Sequence, residues 1–325
     1  MPGRSSRTLL SLSVGLLAAL PLTAQAAVDP SIAPRAMELA RHGERTQATE
    51  MLGRYLATAP DDGGAWRALG WFYLLDSREW HRRGHTGDPP GALFLDFAVA
   101  ALDQALRAAT DSARLLRATV ERDRAMLGVE QGGWLATRAT FAPSTVVLGP
   151  GYLREVGRNL VASCPIGGVL VTGTELEATA VWSVVLASRA RGDLLLLLPL
   201  HYGEDSVYRH AMADALEVSP ALPVAEALGE AARRRPVCLT PGVPPGTAPA
   251  RPLTPVRLVR VAGVLGPLAA DPLSIIELLQ AELGRPNPVA AEVLGIYERA
   301  ASANPLLCTA LLLPLGVHHR ASCRN

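Results

Sequence analysis

The sequence predicts a chain of α+α/β class. An N-terminal array of α-helical hairpins over residues 28–130 is followed by a linker over 131–157. A mainly parallel α/β sheet domain over 158–265 and C-terminal helices over 266–325 come next. Three observations predict this. Ala, Leu and Arg recur at helical spacing between residues 32 and 129. Beyond residue 158, short apolar runs alternate with helical stretches, the pattern of a sheet covered by helices. Past Gly263, "DPLSIIELLQAEL" and "PVAAEVLGIYERAASANPLL" return to amphipathic helical spacing.

The first element, "MPGRSSRTLLSLSVGLLAALPLTAQAA", places Arg4 and Arg7 before an apolar run and ends it on Ala24-Gln25-Ala26. That order predicts a secretory signal over residues 1–26, cleaved after Ala26. The alternative is an uncleaved anchor, but the run from Leu9 to Leu22 falls short of the ~20 residues a spanning helix needs. The mature chain is therefore expected to be periplasmic or otherwise extracytoplasmic, in a bacterium, with no transmembrane segment. Export makes Cys164, Cys238, Cys308 and Cys323 eligible for disulfides, with three full pairings open. Cys308 and Cys323, flanking a Pro-Leu-Gly turn, are the preferred pair; free buried thiols are the alternative. No C-x-x-C pair exists, which argues against a redox motif or zinc knuckle.

All 31 basic residues are Arg, against 30 acidic ones. Loss of Arg4 and Arg7 with the leader would leave 29 against 30, and no nucleic-acid partner is expected. The absence of Lys excludes a G-x-x-x-x-G-K phosphate loop and a Schiff-base lysine. No cofactor and no metal are assigned.

Within the helical array, "WRALGWFY" sets Trp66, Leu69, Gly70 and Tyr73 on the pattern W-x2-L-G-x2-Y. The spacing has a mechanism: Gly70 lets a paired helix approach while the large residues fill the seam. Ala48 and Leu52 take the small and large positions of a preceding helix, with Tyr55 where a small residue is expected. Ala98, Leu102 and Ala105 resume the spacing after "DSREWHRRGHTGDPP", and a helix from Asp111 to about Leu127 would cap the stack. Over about residues 32–129 the chain resembles tetratricopeptide-repeat proteins, with about two repeats, the second carrying an insertion. The resemblance implies a concave protein-binding surface. A generic helical hairpin, with Trp66 and Tyr73 as core only, is the alternative.

Next, "GGWLATRATFAPSTVVLGPG" reads as a connector. Then "GGVLVTG", "DLLLLLPL", "RPVCLT" and "PVRLVRVAG" read as strands, separated by the helices "ATAVWSVVLASRA" and "EDSVYRHAMADALEV". From about residue 160 to 262 this series resembles the soluble C-terminal domain of bacterial protein O-mannosyltransferase-like multi-span membrane proteins. That family carries T-N-G-D-N-D-T-F-P-L-W after its first strand. Alignment on Trp182 puts Glu175 and Glu177 on the two Asp positions and Thr174 on the Gly, while the motif's Asn, Phe and Pro are replaced. The resemblance implies the fold and an acidic turn. It does not imply glycosyl transfer, which belongs to the family's membrane-spanning part.

The carboxyl ends of the strands bring Thr174, Glu175, Glu177, His201 and Asp205 toward one sheet edge, where open α/β sheets bind ligands. Paired carboxylates beside a histidine could hold a divalent ion, act as an acid/base pair or bind sugar hydroxyls. Alternatively they are helix N-terminal charges. His81 and His85 stand at i and i+4, but Gly84 and Pro89-Pro90 point to a loop with surface histidines; His318-His319 lacks partners. The expected function is a non-enzymatic, exported interaction or scaffold protein that binds a protein partner through its helices and carries an α/β module of unknown ligand, with a carbohydrate or envelope component as a further candidate partner. The competing expectation is a carbohydrate-active or metal-assisted enzyme using Glu175 and Glu177.

Overall fold

Capping residues set where the N-terminal helices begin, and small residues set how closely they pair. The computed structural model describes residues 28–86, 90–108, 110–141, 149–188, 191–269, 272–273, 276–313, 315 and 323. The leader expected over residues 1–26 lies outside them, as do Pro89, His318 and His319. Five helices come first: α1 (Ile32–Arg41), α2 (Arg45–Leu56), α3 (Gly63–Arg82), α4 (Gly91–Ala105) and α5 (Asp111–Thr140). The Asp62 carboxylate caps α3 by accepting from the Gly64 and Ala65 amides, and Thr110 caps α5. Ala48, Leu52, Leu69 and Phe72 are buried in one apolar cluster, and Leu74, Leu95, Leu102 and Val120 in a second. At Gly70 a Cβ would stand 2.6 Å from Leu102 Cγ, so the absent side chain is what lets α4 lie against α3. Trp66 is half-buried, its Nε1 donating to Pro60 O at 2.7 Å, and Tyr73 packs on Phe97 with ring centroids 5.3 Å apart.

In the stretch expected as a linker, 131–157, the described residues are largely helical. Helix α5 runs to Thr140, broken at Gly133 with φ 80°, and α6 (Gly151–Ser163) follows. Burial overrides the Gly-rich composition here. Trp134 is buried edge-on against Trp182, centroids 5.4 Å apart, and its Nε1 donates to Leu194 O. Leu153, Val156 and Leu160 of α6 are fully buried.

The α/β half continues as β1 (Val169–Val171), α7 (Glu175–Ser188), β2 (Leu195–Leu197), α8 (Pro199–Glu204), α9 (Ser206–Leu216), α10 (Val224–Ala231) and β3 (Val237–Leu239). Then come β4 (Leu253–Val256), β5 (Val259–Ala262), α11 (Glu277–Leu283) and α12 (Pro288–Ala303). The sheet order is β2-β1-β3-β5-β4. The expectation of a mainly parallel sheet needs correction: β2, β1 and β3 are parallel, but β5 pairs antiparallel with both β3 and β4. "PVRLVRVAG" is no single strand. Arg257, at φ 48°, starts a two-residue turn that pairs Val256 with Val259, and so tight a connection joins antiparallel strands only. Among the described residues no helix is long and apolar enough to cross a membrane.

Disulfides join Cys308 to Cys323, the preferred pair, and Cys164 to Cys238, tying the end of α6 to β3. Helix α11 is held to α6 by the Glu155 carboxylate, which accepts from the Leu278 and Leu279 amides. Asn159 of α6 donates to Tyr297 OH of α12 at 3.0 Å.

Candidate functional site at the carboxyl edge of the sheet

Neighbouring strands β1 and β3 lead in opposite directions. The β1 connection, through α7, reaches β2 on one flank, whereas the β2 connection crosses to β3 on the other. Such a switch point leaves a crevice beyond the carboxyl ends of the strands. Here it has a volume of about 540 Å³, and Thr174, Glu175, His201 and Asp205 all line it, together with Arg78 and His81 from α3. Glu177 is not among the lining residues; it is fully buried.

The two acids of the turn have separate employments. Glu177 Oε2 accepts from the Gly173 and Thr174 amides, each at 3.1 Å, and from Thr240 Oγ1 at 2.7 Å; Oε1 accepts from the Gly242 amide at 2.8 Å. In return the Glu177 amide donates to Thr174 Oγ1, which completes a reciprocal cap on α7. The carboxylate thus occupies the amide-lined nest between the β1 and β3 loops where such sheets otherwise receive an anion. Both glycines are required: a Cβ on Gly173 would stand 2.0 Å from Gly242 backbone, and one on Gly242 2.5 Å from Glu177 Oε2.

Glu175 reaches the other way. It pairs with Arg78, and with Arg122 at 3.2 Å, while Asp123 pairs with the same two guanidiniums at 2.8 Å to Arg78 and 2.5 Å to Arg122. Burial works against ionising Glu175, but Arg122 and Arg78 outweigh it and hold the carboxyl below its usual range. This alternating quartet joins α3 and α5 to α7.

A second cluster was not legible as a site. His81 Nδ1 lies 3.5 Å from Glu130 Oε1 and 3.5 Å from Asp205 Oδ2. His85 Nε2 lies 2.8 Å from Asp205 Oδ2 and 3.7 Å from Glu130 Oε2. One ligand atom from each of the four falls within 4.8 Å of all the others. The expectation of surface histidines is therefore corrected: their side chains are 13% and 20% exposed. The i, i+4 spacing was the available signal, and Gly84 obscured it. Gly84 (φ 70°) and His85 (φ 63°) turn the chain back at the end of α3, so the rings meet edge to face at 5.0 Å instead of leaving as a loop. Glu130 and Asp205 arrive from distant elements. Asp205 Oδ1 also caps α9, accepting from Val207 and Tyr208 amides.

Burial pushes the Glu130 carboxyl up to about 7; facing His81 opposes the rise, and Asp205 and Asp123 add to it. Burial would lower His81, but the facing Asp205 and Glu130 carboxylates raise it. Burial also lowers His201 to about 4, against Asp123 and with Arg122, Arg78 and His81. Buried polar atoms with no hydrogen-bond partner among the described residues gather at this edge: Thr172 Oγ1, His201 Nδ1, Tyr202 OH, His81 Nδ1 and both Glu130 oxygens.

Comparison of the chain with protein-family models, with curated proteins and with solved structures finds no significant match.

Proposed function

We propose that the protein is exported and acts as a binding protein, holding a small neutral hydroxylated ligand of carbohydrate type in the crevice at the carboxyl edge of the sheet. The observation that carries this is the pair of buried lining atoms, Thr172 Oγ1 and His201 Nδ1, that no group among the described residues satisfies. Each such atom costs about 1–3 kcal/mol, which a hydroxylated ligand would recover. Arg78 and Arg122 are already committed to Asp123 and Glu175, so the walls favour an uncharged ligand. Leu75, Ala178 and Leu198 offer apolar surface for the faces of a sugar ring. Glu175 and Glu177 are engaged by arginines and by backbone amides, which favours binding over acid/base catalysis.

The N-terminal helices, on this reading, form a tetratricopeptide-like array that presents the ligand-bearing half to a protein partner. Helix pairing across Gly70 supports that assignment, and the leader sequence and two disulfides support export. The test is a thermal-shift titration with neutral mono- and disaccharides on wild type and Leu200→Trp. Leu200 lines the crevice and is 64% exposed, so the indole should block the mouth without disturbing the core. At least one sugar should raise the wild-type midpoint saturably and leave the variant unmoved. Absence of any response, or equal responses of the two proteins, would refute the proposal.

A further inference from the structure

We propose that His81, His85, Glu130 and Asp205 form a closed site for one divalent transition-metal ion of the zinc class, and that this ion clamps the N-terminal helices to the α/β half. His81 and Asp205 also line the crevice, but the proposal requires no ligand there.

Geometry is the first support. Four donors about 2.0–2.1 Å from a tetrahedral ion stand about 3.3 Å from one another. Four of the separations, 2.8, 3.5, 3.5 and 3.7 Å, bracket that spacing, and one donor atom from each residue falls within 4.8 Å of all the others, so shifts of roughly an ångström would complete the shell. Glu130 is the second and independent support. Its side chain is only 2% exposed, yet among the described residues neither carboxylate oxygen finds a hydrogen-bond donor, and His81 Nδ1, which faces it, has no hydrogen-bond partner there either. A buried carboxylate without donors is costly unless a cation meets it. The neighbouring cations Arg78 and Arg122 are engaged by Asp123 and Glu175, so a divalent ion would supply the positive charge that those guanidiniums do not bring to Glu130 and Asp205.

The surroundings hold the donors in place. Asp205 is fixed through Oδ1 by the two α9 amides, which leaves Oδ2 toward the cluster. Trp80 packs against both imidazoles, at 5.1 Å from His81 and 4.6 Å from His85. His85 sits in the left-handed region, uncommon for a residue with a side chain, and that turn is what aims its ring back at His81. Two imidazoles and two carboxylates suit zinc, cobalt, nickel, iron or manganese, and they disfavour magnesium and calcium, which take oxygen-only shells. Four protein donors make a structural site, since catalytic zinc keeps one position for water. The donors come from the end of α3, from α5 and from the α8–α9 junction, so the ion would bridge both parts of the chain.

The experiment uses the full chain with its disulfides intact, stripped with chelator. Zinc(II) binding is read by calorimetry and metal analysis, cobalt(II) binding by visible absorption. Expected are one equivalent of zinc, the intense absorption of tetrahedral cobalt, no competition by magnesium or calcium, and an unfolding midpoint that climbs with zinc concentration. Glu130→Gln and His85→Ala should each weaken binding by more than about a hundredfold, because loss of even an outer-shell partner costs about 10–100-fold. Circular dichroism checks that the variants are folded; should His85→Ala unfold, Glu130→Gln alone decides. Leu200→Trp should bind metal as wild type does, which separates this result from the fate of the crevice ligand. No saturable binding of either ion to wild type, or unchanged affinity in a folded Glu130→Gln, would overturn the proposal.

Discussion

Glu177 carries no exposed surface and accepts from three backbone amides and one hydroxyl. Charge-assisted bonds of this kind are worth about 1.5–3 kcal/mol each, so replacement by an amide, which presents donors to donors, should be felt throughout the fold. Glu177→Gln is expected to lower unfolding stability by about 2–4 kcal/mol in denaturant titration. A loss below about 0.5 kcal/mol would mean that the nest tolerates an uncharged occupant. Thr174-x-x-Glu177 is the sequence signature of a reciprocal cap, so this role was legible beside the ligand-site reading that the same residues invited. The partners of Glu175 were not. Arg78 and Arg122 lie 97 and 53 residues away, and nothing in local spacing reveals which of 31 arginines will face a given acid.

At the scale of elements, the strongest periodic signals translated directly: the apolar runs around Leu170, Leu196 and Cys238 became the three parallel strands. Where composition and burial disagreed, burial decided, as in the helical segment of α5 that resumes after the break at Gly133 and carries Trp134 into the core. The α3–α4 seam illustrates an element contact that a single position controls. Gly70→Ala would place its methyl 2.6 Å from Leu102 Cγ and 2.8 Å from Leu102 Cδ2. Helix propensity alone would gain up to about 1 kcal/mol from this change, but overpacking typically costs about 1–3 kcal/mol. A net loss in thermal stability is expected, and the same change should cost less in a Leu102→Ala background, which makes room for the methyl. A Gly70→Ala protein more stable than wild type would show that Leu102 swings aside freely.

At the scale of the whole molecule, α5 belongs to both halves. Ala113 and Val120 pack in the N-terminal cluster, while Ala125, Met126, Val129 and Trp134 pack in the core that surrounds the sheet. Arg122 and Asp123 add the polar contacts to Arg78 and Glu175 from the middle of the same helix. Two cores that share one helix cannot lose it separately. Calorimetry should therefore record a single unfolding transition, with calorimetric and van't Hoff enthalpies in agreement. Two resolved transitions would show that α5 splits near Gly133 and lets the parts unfold in turn. The shared helix also bears on how such a chain can be inherited. A recombination breakpoint within the stretch coding for residues 111–140 would give each descendant half of a helix matched to only one of its two cores. The N-terminal helices are consequently poor currency for module exchange, and lineages that keep this sheet should keep its helices with it.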